Sequence, residues 1–81
     1  MNAQKLVTMA NAIAAFWAVE PVRAAAVEGV ALHLRRFWEP RMRREILAVL
    51  DAGGDHGMHE LVVAALTERR AELAPPPAPA K

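Results

Sequence analysis

The chain has 81 residues, a net charge of +1 and no cysteine. That length allows one small domain, the charge is far from that of a typical nucleic-acid binder, and the missing thiols exclude disulfides, Cys-ligated zinc and iron–sulfur clusters. A chain this short buries only about 60% of its unfolded surface, so without staples the usual route to stability is a partner. Hydrophobic residues make up 54% of the sequence, much of it Ala, and Tyr is absent. Alanine is the best helix former, and the Val and Ile residues recur at helical spacing rather than in alternation. The expected fold is all-α, a small bundle of three to four short helices.

The first predicted helix spans residues 3–18. Leu6, Met9, Ile13 and Phe16 recur at steps of three and four and form its apolar stripe, with Trp17 one step off. Lys5 ahead of an apolar run has the outline of a signal peptide, but Asn11 interrupts the run and no small-x-small site closes it. No stretch reaches the ~18 apolar residues that span a bilayer, so a cytoplasmic location without membrane contact is expected. Glu20-Pro21 ends this helix, because a proline ring excludes the α conformation at the residue before it.

The second helix is expected over residues 21–38. Val27, Val30, Leu34 and Phe37 repeat the same spacing, and Trp38 again falls one step off the stripe. Gly29, among several alanines, suits a close approach of another backbone. Glu39-Pro40 then forces a corner, and Pro40 opens a third helix to about residue 52. Met42, Ile46, Val49 and Leu50 form its apolar face, while Arg43 and Arg44 take the wet side. Gly53-Gly54 is the strongest stop signal in the chain. Asp51 at that negative helix end calls for a local partner. A fourth helix is expected over residues 58–73, capped by Asp55 or Gly57. Residues 1–73 thus form one helical domain. Residues 74–81 form a proline-rich tail that is extended or disordered.

Candidate chemistry is sparse. His56 and His59, with Asp55 and Glu60 nearby, are the one cluster with metal-ligand character, but they sit at a Gly-rich loop with no second ligand pair, so a solvated loop is expected. His33 reads as a packed structural residue. There is no nucleophile with a base, no phosphate loop and no paired carboxylates, so no catalytic, cofactor-binding or metal residue is assigned. The core stripes leave Trp17 and Trp38 over. Burying an aromatic removes ~150–250 Å² from water, worth ~4–6 kcal/mol as an upper bound. Trp17 is as much expected to widen the core as to reach an interface, whereas a wet Trp38 among the five arginines at residues 35–44 suggests a protein interface, whose centres favour Trp and Arg. The expected partner-binding residues are Trp17, His33, Arg35, Trp38, Pro40, Arg41, Met42 and Arg43. Trp38 is expected to fill a pocket on the partner, and Phe37 to hold the helix pair together.

Two segments carry a family resemblance. One is Lys5-Leu6-Val7-x-Met9-Ala10-Asn11-x-Ile13-Ala14-x-Phe16. The other runs from Gly29-Val30 through His33-Leu34-Arg35-x-Phe37-Trp38 to Glu39-Pro40-Arg41-Met42-Arg43. Together, over roughly residues 5–66, the chain resembles the small δ subunit of cytoplasmic NAD-dependent formate dehydrogenases containing molybdenum or tungsten. Glu39 departs from the Asp more usual there and keeps the charge. The resemblance implies a non-catalytic subunit supporting assembly or stability of the complex, docked on the large subunit. It also implies that partner subunits hold the molybdopterin, iron–sulfur clusters and FMN. Readings from other classes are a free-standing homo-oligomeric helical module and a small nucleic-acid-binding protein.

Overall fold

The computed structural model describes residues 2–53 and 56–76. Its helices are α1 (Ala3–Trp17), α2 (Arg23–Phe37), α3 (Pro40–Asp51), α4 (Glu60–Glu68) and the single turn α5 (Arg70–Leu73). The all-α bundle expected from the sequence is the fold observed, and the described residues contain no strand.

Each boundary has a local cause. Asn2 caps α1, its side-chain oxygen accepting the Lys5 N–H at 2.8 Å. Beyond the turn at Glu20-Pro21, α2 starts at Arg23, two residues later than expected, and the Glu20 carboxylate accepts the Val22 N–H at 3.2 Å. At the corner the residue before proline is barred from the helical region, and both Trp38 and Glu39 are extended (ψ 135 and 152). Pro40 is the first residue of α3. Gly53 follows the α3 C-cap at φ 99, a left-handed conformation that costs glycine nothing.

The fourth predicted helix divides. His59, rather than Asp55 or Gly57, caps α4, its Nδ1 accepting the Leu61 N–H at 3.0 Å. Arg69 leaves helical geometry, and α5 then returns a fully buried Leu73 to the core. Asp55 and most of the proline-rich tail lie outside the described residues.

α2 is the central strut, packed on α1 along one side and on α4 and α5 along another, while α3 folds back against α1. The core contains Leu6, Val27, Val30, Leu34 and Ile46, all expected there, together with Val62 and Leu66 from α4. It also takes Val7, Ala10 and Ala14 from α1, so α1 turns its small residues inward. Met9 and Ile13 are only half-buried. The reason is close packing. At Gly29 an added Cβ would lie 2.4 Å from the Trp17 indole, so the ring rests directly on the α2 backbone.

Polar links finish the bundle. The Asn11 amide donates to the Gly57 carbonyl at 2.8 Å, and its oxygen accepts the His59 N–H at 2.7 Å. Arg23 pairs with Glu60 and reaches Glu68 at 3.8 Å, tying α2 to α4. Arg70 grips both oxygens of Asp51, at 2.9 and 2.6 Å, which supplies the partner that the end of α3 called for. The hydrogen bond from Arg70 holds the Asp51 carboxyl below its ordinary value. A carboxyl shifted down stabilises the fold above its unfolded pKa of about 4. That contribution fades as pH falls through the lowered folded value. Both groups are solvent-exposed, so screening keeps the effect small.

The Trp17–Gly29 contact predicts a change of sign. In the native background Gly29→Ala should destabilise by about 1–3 kcal/mol through overpacking, offset by up to about 1 kcal/mol of helix propensity. With Trp17→Ala already in place, the same change should become neutral or stabilising. Urea unfolding of the four chains of this double-mutant cycle measures the coupling. A Gly29→Ala effect equal in both backgrounds would show that the contact sets nothing.

Candidate docking surface

The two Phe-Trp pairs decide where the surface lies. Phe37 is 70% exposed and Trp38 only 6%. Phe16 is 71% exposed, while Trp17 is half-buried over Gly29. The expectation of leftover aromatics holds, but their identity is reversed. Phe16 and Phe37 stay outside, and Trp38 belongs to the core.

The cause differs at the two sites. Phe37 is the last residue of α2, and Trp38 lies past it with ψ 135. The rule of about 100° per residue stops applying there, and the extended backbone lets the indole join the core cluster. On α1, the buried Ala10 and Ala14 mark the inward direction, which rotates Phe16 toward solvent. A stripe weighted by side-chain size points instead to Met9, Ile13 and Phe16, because alanines carry little hydrophobic signal. Trp38 therefore has no exposed ring to offer a partner, and Phe37 does not hold the helix pair together.

The exposed aromatics gather on one face of α1 and α2. Ile13, Phe16, Trp17 and His33 line an apolar groove of about 350 Å³. A smaller groove beside it is lined by Trp17, Gly29, Leu32, His33, Arg36 and Phe37. Trp17 and His33 are common to both, so the two form one continuous surface. The Phe16 and Trp17 rings stand edge to face at 5.6 Å, and His33 tilts against Phe37 at 4.8 Å. Val19 and Val22, on either side of the Glu20-Pro21 turn, are also exposed.

The other expected site residues separate. Trp17 and His33 lie on this face. Arg35 is exposed near the end of α2, and Pro40 and Arg41 are exposed at the corner. Arg41 and the half-buried Met42 line a distinct groove with Leu6, Glu39 and Glu45. Arg43 is not on the wet side: its Nη1 donates to the Leu73 carbonyl at 3.3 Å and its Nε is buried. It braces α5 against α3. Phe16, Leu32 and Phe37 were missed as surface residues, while Arg36 was among the five arginines expected at an interface. On α1 the signal that identifies Phe16 is the placement of the small Ala10 and Ala14 on the opposite side of the helix; on α2 Gly29 shares the face of Leu32 and Arg36 and lines their groove.

Among the described residues no three His, Asp or Glu side chains converge to hold a metal ion. His59 spends its Nδ1 on the α4 cap. No described helix is long and apolar enough to cross a membrane. The two grooves are lined by apolar and aromatic side chains, the His33 imidazole and Arg36.

Residues 5–66 match the family model of the NADH-dependent formate dehydrogenase delta subunit, FdsD. The chain belongs to this family. The match spans both segments that carried the resemblance in the sequence, α1 and the α2–α3 corner included. No curated protein and no solved structure matches the chain. Membership makes it a subunit of a formate dehydrogenase complex, an oxidoreductase.

The reversed aromatic pair has a direct test. Trp38→Ala should destabilise the chain by about 3–5 kcal/mol, as truncation of a buried aromatic does. Phe37→Ala should change stability by no more than about 0.5 kcal/mol, like other exposed substitutions. Circular dichroism through a urea titration of each variant gives both numbers, and the opposite ranking would return Phe37 to the core.

Proposed function

We propose that the chain is a non-catalytic accessory subunit of a cytoplasmic NAD-dependent formate dehydrogenase, docked on the large molybdopterin-carrying subunit and supporting assembly or stability of the complex. Membership of the delta-subunit family supports the complex. The observation that carries the docking role is the pair of phenylalanines, Phe16 and Phe37, left outside a core that is otherwise closed. Contiguous exposed aromatics mark interaction surfaces, and a buried aromatic anchor typically dominates the energy of an interface.

The proposed contact keeps Trp17 and His33 and adds Phe16, Phe37 and Arg36. Arg35, Pro40, Arg41 and Met42 extend it toward the corner. Trp38 and Arg43 act from within, holding the corner and α5 in place. Molybdopterin, iron–sulfur clusters and FMN belong in this proposal to the partner subunits. The described residues offer no cluster of metal ligands, and the chain has no cysteine.

The test is co-expression of Phe16→Ser/Phe37→Ser with the remaining subunits. Both side chains are exposed, so the variant should fold. It should fail to co-purify, with a loss of about 2 kcal/mol or more in binding, and formate-dependent NAD⁺ reduction by the purified complex should fall with it. Co-purification at the native level with full activity would exclude this face as the docking surface. A wild-type chain that forms a stable dimer through the same residues, and ignores the other subunits, would instead establish the homo-oligomeric reading.

A further inference from the structure

The charge around the aromatic face is one-sided. Among the described residues, Arg36 is the one Arg, Lys, Asp or Glu lining either groove. Of the other arginines, Arg23 meets Glu60 and Glu68, Arg69 meets Glu72, and Arg70 meets Asp51, whereas Arg41, Arg43 and Arg44, away from these grooves, have no carboxylate partner among the described residues. Among the described residues, no carboxylate lies within ion-pair reach of Arg35 or Arg36.

The corner explains why. Glu39 stands four residues after Arg35 and three after Arg36, the spacings at which helical ion pairs form. Pro40 ends the helix at Phe37 and makes Glu39 extended, so that pairing geometry is lost. On the preceding turn, Ala31 and Leu32 stand where an acidic partner would otherwise be. The fold thus leaves two guanidinium groups uncompensated beside an apolar groove. A guanidinium in that position favours a planar, bidentate carboxylate over a point charge or a neutral group.

We propose that the occupant of the Phe16–Phe37 groove is an acidic, apolar segment of a partner protein. Its large apolar side chain enters the groove between Phe16, Trp17 and His33, and a carboxylate about one helical turn away pairs with Arg36. Arg35, one residue back and more outward, supplies attraction at longer range. This inference rests on the docking role proposed above and adds the chemistry of the partner. An anionic membrane surface would satisfy the arginines equally, but the apolar part of the site is a pair of grooves sized for side chains rather than a flat belt.

The experiment uses the assembled complex. A photo-crosslinking phenylalanine analogue at Phe37 should capture a segment with an Asp or Glu within four residues of the crosslinked position, identified by mass spectrometry. Arg36→Glu should weaken retention of the chain in the complex by about tenfold or more, because it sets like charges together. Arg36→Lys should retain part of the binding, and wild-type retention should fall with added salt. Capture of a segment without acidic residues, or Arg36→Glu retained like wild type while Phe16→Ser/Phe37→Ser is lost, would overturn the acidic partner and leave the docking role standing. If neither variant is released, both fall. Sedimentation with phosphatidylglycerol vesicles that depends on Phe37 and Arg36, with no capture in the complex, would replace the protein segment by a lipid surface.

Discussion

The spacing between α1 and α2 depends on one contact, the Trp17 indole lying on the bare backbone of Gly29. Any side chain at that position would push the two helices apart. On the buried sides of the two helices the small Ala10 and Ala14 of α1 and Gly29 and Ala31 of α2 stand beside the larger Leu6, Val7, Val27, Val30 and Leu34. The Trp17 ring takes the space that Gly29 leaves open. Phe16, Leu32 and Phe37 are outside because the interior is dense, not because they are polar. Protein interiors are packed too tightly to accept extra rings without strain.

The proline corner imposes the second constraint. It fixes where α2 stops, turns Trp38 inward through an extended residue, and withdraws Glu39 from its arginines. One backbone restriction therefore buries Trp38 and leaves Arg35 and Arg36, just ahead of Phe37 on α2, without Glu39 as a helical partner. Farther along, the paired arginines have the opposite role. Arg23 and Arg70 hold α4 and α5 against the first three helices, and Arg43 closes the α5 end from within. Arg35 and Arg36 have no such internal partner among the described residues.

The breaks were legible in the sequence because proline and glycine act through backbone sterics that need no tertiary context. Pro40 and Gly53 stand where expected, and the helix class follows from the spacing of apolar residues. The facing of side chains was less legible. At Phe37-Trp38 the helical wheel was carried one residue past the helix, and on α1 the large residues outweighed the alanines that in fact point inward. His59 as the α4 cap and the break at Arg69 depend on a loop and on the return of Leu73 to the core, contacts that only the folded chain supplies. The surplus of apolar bulk over core volume was readable from composition. Which residues bear it was decided by packing.

The two tryptophans occupy unlike environments, and the chain has no tyrosine. Trp38 is sealed in the core, whereas Trp17 is half-buried and lines both grooves. Their emission therefore separates two events. Light from Trp38 follows the integrity of the bundle, with the blue-shifted maximum of a dry indole. Light from Trp17 follows the hydration of the outer face, which a soluble quencher reaches first and which a partner docked as proposed would shield. Assembly and unfolding can thus be followed in the same chain, without a label, by the indole that each one wets or dries.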